Sequence, residues 1–179
     1  MQAKLDWIEE GTRVLGLAEY KGSANNPEIV RWLKDLHSTW LDDENAWCGT
    51  YLAHCLQASG FKRASSTSKG GVGQYPFHWY RALAYADGGG VKLSKPAYGC
   101  VAVKSRKGGG HVCFVVGRDK KSGKLVCLGG NQSDKVCYAL YNESDFTAFM
   151  WYGKTTSPSP ERYNLPILSG VTATKVSES

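Results

Sequence analysis

Asn45-Ala46-Trp47-Cys48-Gly49-Thr50-Tyr51-Leu52-Ala53-His54-Cys55-Leu56 is the stretch on which the fold turns. Three acids, Asp42, Asp43 and Glu44, come immediately before Asn45. At 3.6 residues per turn, Cys48, Leu52 and Cys55 share one helical face, with Tyr51 and Leu56 on its flanks. The face is core-like, yet Cys48 opens it at the first turn, where backbone N–H groups lack intrahelical partners and the helix dipole is positive. Such a position lowers a thiol pKa from about 8.5 toward roughly 3.5–7.5, which makes Cys48 a candidate nucleophile. A cysteine on an apolar helix is more often a small buried hydrophobe. Two later stretches shift the balance: Gly108-Gly109-Gly110-His111-Val112-Cys113-Phe114-Val115-Val116-Gly117 and Leu128-Gly129-Gly130-Asn131-Gln132.

Outward from that helix, the chain changes character once. Residues 4–17 read as an amphipathic helix with Leu5, Ile8, Val14 and Leu15 inward. Asn26 and Pro27 mark a helix start, as N-cap and first-turn proline, and Ile29, Val30, Trp32, Leu33 and Leu36 continue it to about His37. Gly60 is placed to end the Cys48 helix. Residues 62–74 read as a surface loop, and a further helix is expected from about Phe77 to Ala86. After Gly88-Gly89-Gly90 come short apolar or alternating runs: 100–103, 111–116, 124–128, 136–141 and 146–152. Gly108-Gly109-Gly110 and Ser122-Gly123 are expected as hairpin turns. Helices first and strands second predict an α+β fold, with N-terminal helices packed on a C-terminal antiparallel sheet. One catalytic unit is expected over 1–153, and an extended tail over 154–179 that is partly pinned by Leu165, Ile167 and Leu168.

The 179 residues, 42% hydrophobic and 21% charged, suit a single core rather than two. No run is long enough for a membrane-crossing helix, and the start lacks the apolar core of a signal peptide, so synthesis in the cytosol with six reduced cysteines is expected. Neither a disulfide framework nor the ligand spacing of a zinc site is present, and no metal or cofactor is expected. The net charge of +6 is uneven: residues 91–125 hold nine Lys/Arg against the single acid Asp119, a local +8. That is either a solvated rim or a patch for a polyanion. With no nucleic-acid motif in the chain, the polyanion need not be DNA or RNA.

A thiol hydrolase needs a nucleophile, a base within reach and a third group that fixes the base. His111 opens a strand after a glycine turn, and it shares a face with Cys113 while Val112 and Phe114 face the other way. Asn131 ends the next strand, where its carbonyl would reach the far ring nitrogen. Trp47-Cys48, Gly110-His111-Val112 and Gly129-Gly130-Asn131-Gln132, in that order and after helices, resemble the NlpC/P60 and CHAP cysteine peptidase superfamily, and above all its short phage-type lysis proteins. The likeness spans about residues 4–153.

The resemblance implies a papain-like fold with Cys48 as nucleophile, His111 as base and Asn131 as orienting group. It also implies hydrolysis of an amide bond in peptidoglycan, within the stem peptide or between stem and glycan. The chain departs from the pattern at Gly99-Cys100, where the family usually has Gly-Asp, and at Gly49-Thr50-Tyr51. Trp47, Asp43, Glu44, Asn45 and Gln132 are the candidate substrate-binding residues. The acids are placed to read a free amine of diaminopimelate or lysine, or simply to complement the helix dipole. Trp47 is placed as a cleft wall or a core residue, and Asn45 and Gln132 as candidates for the second oxyanion donor. His54 lies about 240° round the helix from Cys48 and is excluded as its base. His37 suits the negative end of its helix, His78 either lines the cleft or does not, and Cys113 is expected to pack.

The expectation is a monomeric phage endolysin, held in the host cytoplasm until a holin releases it onto the wall. Its basic 91–125 region would be drawn to anionic envelope polymers. The alternatives are an exported antibacterial effector and a wall-binding module whose site is dead.

Overall fold

The computed structural model describes residues 3–65 and 70–171. Helix α1 covers Asp6–Arg13 and buries Trp7, Ile8 and Gly11. It is shorter than the expected 4–17. The chain turns at Gly16 with φ +86°, so Val14 still reaches the core but Leu15 is 39% exposed. Helix α2 covers Pro27–Asp35 and starts as its sequence predicts: the Asn26 side chain accepts from the Glu28 amide at 2.9 Å and proline fills the first turn. Helix α3 covers Cys48–Ala58 and is buried on every side from Cys48 to Leu56. Gly60, at φ +88°, supplies the left-handed residue that ends it. Trp32 of α2 fills the gap between these two helices, stacked on His54 at 4.5 Å and tilted against Tyr51 at 6.1 Å and Trp47 at 6.4 Å.

The loop expected after α3 contains a two-strand parallel pair, β1 (Lys62–Arg63) and β2 (Gln74–Tyr75). Residues 66–69 of that loop lie outside the described residues. The helix expected over 77–86 is reduced to one turn, α4 (Ala84–Asp87). Before and into it the backbone closes i to i+3 bonds, among them Arg81 N to His78 O and Tyr85 N to Ala82 O. Tertiary contact overrides local propensity here. A side chain at Gly49 of α3 would meet the Trp79 carbonyl at 2.5 Å, so this segment is pressed against the first turn of the Cys48 helix.

The main sheet has seven strands: β3 (Val91–Leu93), β4 (Val101–Arg106), β5 (Gly109–Asp119), β6 (Leu125–Gly129), β7 (Cys137–Tyr141), β8 (Ala148–Trp151) and β9 (Ile167–Leu168). Its order is β3-β8-β4-β5-β6-β7, antiparallel throughout, with β9 added in parallel to the end of β5. Phe114 of β5 packs on Tyr51 of α3 at 6.4 Å, and a side chain on Gly11 of α1 would strike Tyr51 and Leu128 of β6. The helices therefore lie on the face that carries Val112, Phe114 and Leu128, and alternation puts His111 and Cys113 on the other face. The fold is α+β with helices on one side of a largely antiparallel sheet, as the order of patterns predicts.

The segment after residue 153 comes back to the body of the protein. The buried Arg162 donates to the Ala3 carbonyl at 3.1 Å, and the Arg118 and Lys120 amides bind the Pro166 and Leu168 carbonyls at 2.8 Å each. Backbone pairing holds this segment together with Leu165 and Leu168, which pack against the core as expected, whereas Ile167 is 62% exposed. The expected extended tail is thus structured as far as 171, and residues 172–179 lie outside the described residues.

Candidate active site

Cys48 stands at the first helical position of α3. The first bond inside the helix is Tyr51 N to Trp47 O at 2.9 Å, so the amides of Cys48, Gly49 and Thr50 have no intrahelical acceptor. Cys48 is nearly closed off, at 4% exposure, and its thiol feels the backbone amides of Val112 and Gly49. The Val112 amide is available for a physical reason. Val115 N donates to Cys100 O, so odd-numbered amides of β5 turn toward β4 and that of Val112 turns the other way. On that side the pairing of β5 with β6 begins only at Phe114 with Leu128. The thiol thus occupies the open end of the sheet, against the peptide that joins His111 to Val112. Its pKa is not lowered as the helix end alone predicts. Burial pushes it up from the ordinary value, against the opposing pull of the two amides and the Arg106 charge.

His111 is buried on β5, directly opposite Lys104 of β4. Its Nε2 lies 3.0 Å from Oε1 of Gln132. The orientation of that amide is fixed, because Gln132 Nε2 donates to the Cys137 carbonyl at 2.8 Å and Tyr141 Oη donates to Oε1 at 3.3 Å. Oε1 is therefore the acceptor, Nε2 carries the proton, and Nδ1 holds the basic lone pair. The contact with the ring predicted for Asn131 is made by Gln132, whose buried amide nitrogen is committed to Cys137 rather than turned to an oxyanion. Asn131, one position earlier, takes a left-handed φ of 54°, and its buried Oδ1 has no hydrogen-bond partner among the described residues. Cys113 shares the imidazole's face as expected. It lies within hydrogen-bonding reach of His111, with its own pKa pushed well up by burial.

The loop that carries these groups is pressed on α3. A side chain at Gly130 would meet Tyr51 Cβ at 2.5 Å and the Trp47 ring at 2.8 Å. Trp47 is a core residue rather than a cleft wall, buried and donating to Glu19 Oε2 at 3.0 Å. Asp43 is fully buried, and its Oδ2 accepts from the amides of Tyr20 at 2.9 Å and Asn26 at 2.7 Å. Its charge therefore ties the chain before α2 to the chain before α3 and does not point at a substrate. Asn45 is exposed, with its side chain turned to Asp42 Oδ1 at 2.8 Å, which removes it as an oxyanion donor. Glu44 is exposed on the same approach to α3. His54 is structural: its Nε2 meets Glu10 Oε1 at 2.8 Å.

The basic region does not form one patch. Lys104, Arg106 and Lys107 gather at the β4–β5 turn beside the site, while Lys120, Lys121 and Lys124 gather at the β5–β6 turn, at the other end of β5. Arg118 is paired with Glu143 at 2.8 Å. The sequence reading missed the first cluster as a site feature, although its proximity to His111 in a hairpin was the available signal. A cavity of about 740 Å³ between α1 and the sheet, lined by Ile8, Val116, Val126, Tyr138 and Leu168, includes neither Cys48 nor His111. Among the described residues, no group of His, Cys, Asp and Glu is arranged to hold a metal ion. Comparison with known protein families, curated proteins and solved structures gave no match.

Proposed function

We propose that this chain is a cysteine amidase of papain-like organisation that hydrolyses an amide bond of peptidoglycan, in the manner of a phage endolysin. What supports the reading is a buried thiol at the start of α3 that feels the backbone amide of Val112, the residue that follows His111, whose own proton is fixed on the nitrogen facing Gln132. Because burial favours the neutral form, Cys48 rests as a thiol rather than a thiolate. In this reading Nδ1 of His111, which β5 carries on the face away from α3, reaches the thiol past the open end of the sheet at Val112 and takes its proton as the sulfur attacks the carbonyl carbon. The amides at the start of α3, which have no intrahelical acceptor, receive the oxyanion, His111 returns the proton to the leaving amine, and water hydrolyses the thioester. The peptidoglycan substrate rests on the likeness of the Trp47-Cys48, Gly110-His111-Val112 and Gly129-Gly130-Asn131-Gln132 stretches.

A second reading, a wall-binding module with a dead site, is favoured by the closed sulfur. Dye release from labelled sacculi separates the two. Cys48→Ala and His111→Ala are expected to abolish release by a protein that still melts cooperatively. Undiminished release by either variant would remove the thiol mechanism. No release by the unaltered protein, together with tight binding to sacculi and an iodoacetamide rate no faster than a free thiol, would support the module.

A further inference from the structure

We propose that Trp40 and Tyr80 form an aromatic platform beside the start of α3 that seats a sugar ring of the glycan strand, so that the amide cut is the one joining the glycan to the first alanine of the stem. The proposal rests on the hydrolase reading and names the bond.

The segment between β2 and α4 flanks both members of the proposed pair. A side chain at Gly49, the residue after Cys48, would meet the Trp79 carbonyl at 2.5 Å and the Tyr80 carbonyl at 3.1 Å. A side chain at Gly110, the residue before His111, would meet Leu83 Cδ2 at 2.7 Å. Three contacts hold the segment in that place. The Tyr85 hydroxyl donates to the Gly49 carbonyl at 2.8 Å. Arg63 donates to the Phe77 carbonyl at 2.8 Å, with its guanidinium 4.2 Å from the centre of the Phe77 ring. Trp40, from the link before α3, stacks on Trp79 at 5.8 Å and meets Tyr80 edge to face at 5.1 Å. Trp79 is buried, whereas Trp40, Tyr80 and the neighbouring His78 are half-buried and keep ring surface open.

A pyranose presents a face of C–H groups, which stacks on an aromatic ring, and a rim of oxygens, which takes hydrogen bonds. The platform offers a partner for each. The Trp40 indole N–H, unlike those of Trp7, Trp32 and Trp47, has no hydrogen-bond partner among the described residues. The Tyr80 hydroxyl and His78 Nδ1, 3.2 Å apart, supply a second polar pair. From Phe77 to Tyr85 the chain holds a single Lys, Arg, Asp or Glu, Arg81, so the platform suits a neutral occupant. In peptidoglycan that is an N-acetylated hexosamine rather than the carboxylate-bearing residues of the stem. A ring seated against a segment that touches the neighbours of both Cys48 and His111 brings the adjoining amide, between lactyl group and alanine, to the thiol.

The test compares a disaccharide tetrapeptide (N-acetylglucosamine and N-acetylmuramic acid carrying L-Ala, γ-D-Glu, diaminopimelate and D-Ala) with the lactoyl tetrapeptide, which keeps the same amide but lacks the sugar rings. The unaltered protein is expected to cut both between lactyl group and alanine, with kcat/KM about tenfold or more lower for the lactoyl peptide, chiefly through KM. In Trp40→Ala and in Tyr80→Ala the difference is expected to shrink below about threefold, and Trp40→Phe is expected to keep most of it. Trp40→Leu and Tyr80→Leu serve if the alanine variants do not fold. Equal turnover of the two substrates by the unaltered protein overturns the platform and leaves the hydrolase reading standing. So does cleavage inside the stem peptide, or a difference that persists in folded variants of both residues. If neither substrate is cut, titration of each into the unaltered protein decides. Tighter binding of the disaccharide peptide keeps the platform while the hydrolase reading falls, and equal or absent binding removes both.

Discussion

Gln132 and Asn131 differ by one position in a turn, and that position decides which of them meets the imidazole. With the Gln132 amide anchored on the Cys137 carbonyl, removing it frees the His111 ring and its tautomer. Gln132→Leu is expected to lower kcat on the order of 10²-fold in a protein that still folds. Asn131→Gly, which keeps the left-handed backbone, is expected to stay within about threefold of the unaltered rate. Initial rates of dye release from sacculi check both, and the reverse ranking would return the third place to Asn131. The sequence brings this turn to the site but cannot choose between two neighbouring amides. That choice is made by the left-handed φ of 54° at Asn131, a tertiary fact with no local signature. The Cys48 thiol teaches the same lesson. Its place at a helix start is legible from the pattern, but its enclosure by Val112 and the sheet is not, and enclosure sets the direction of its pKa.

The helices were legible wherever one apolar face met a cap, as at Asn26-Pro27 and Gly60, and illegible where packing took over, as in the aromatic run from Phe77 to Tyr80. Strands β3 and β9 escaped because two or three residues are too short for alternation to register. The joint between elements was misread at Asp43, where an acid shortly before Cys48 looked like a substrate contact and is instead a clasp. Two backbone amides, the buried one of Asn26 and the partly buried one of Tyr20, depend on its carboxylate, and the Asn26 side chain in turn caps α2. Asp43→Ala leaves both amides without an acceptor and is expected to cost about 2–5 kcal/mol. That corresponds to a melting temperature lower by about 5–15 °C. The KM of the fraction still folded should be unchanged. A variant with unaltered melting and a raised KM would restore Asp43 to the substrate.

Across the whole molecule, burial of thiols and phenols sets an alkaline limit on stability. Burial raises the pKa of Cys48, Cys55 and Cys113 and pushes Cys100 up to about 12, while Tyr51, Tyr85 and Tyr152 are raised as well. These groups keep their protons in the folded state, whereas the unfolded chain releases thiol protons near pH 9. Their contribution is therefore complete below that pH and is lost above it, at about 1.4 kcal/mol per pH unit for each group fully ionised only when unfolded. Urea midpoints are expected to be flat in this respect up to about pH 8.5 and to fall from pH 9 upward. A flat profile to pH 11 would contradict the enclosed core. The length of β5 has a further consequence. Its eleven residues hold two positive poles about 30 Å apart, several times the roughly 8 Å over which charges communicate in physiological salt. Each pole therefore attracts counter-charge independently. A short anionic chain grips one of them, and only a fragment long enough to bridge the hairpin from tip to turn gains the avidity of holding both.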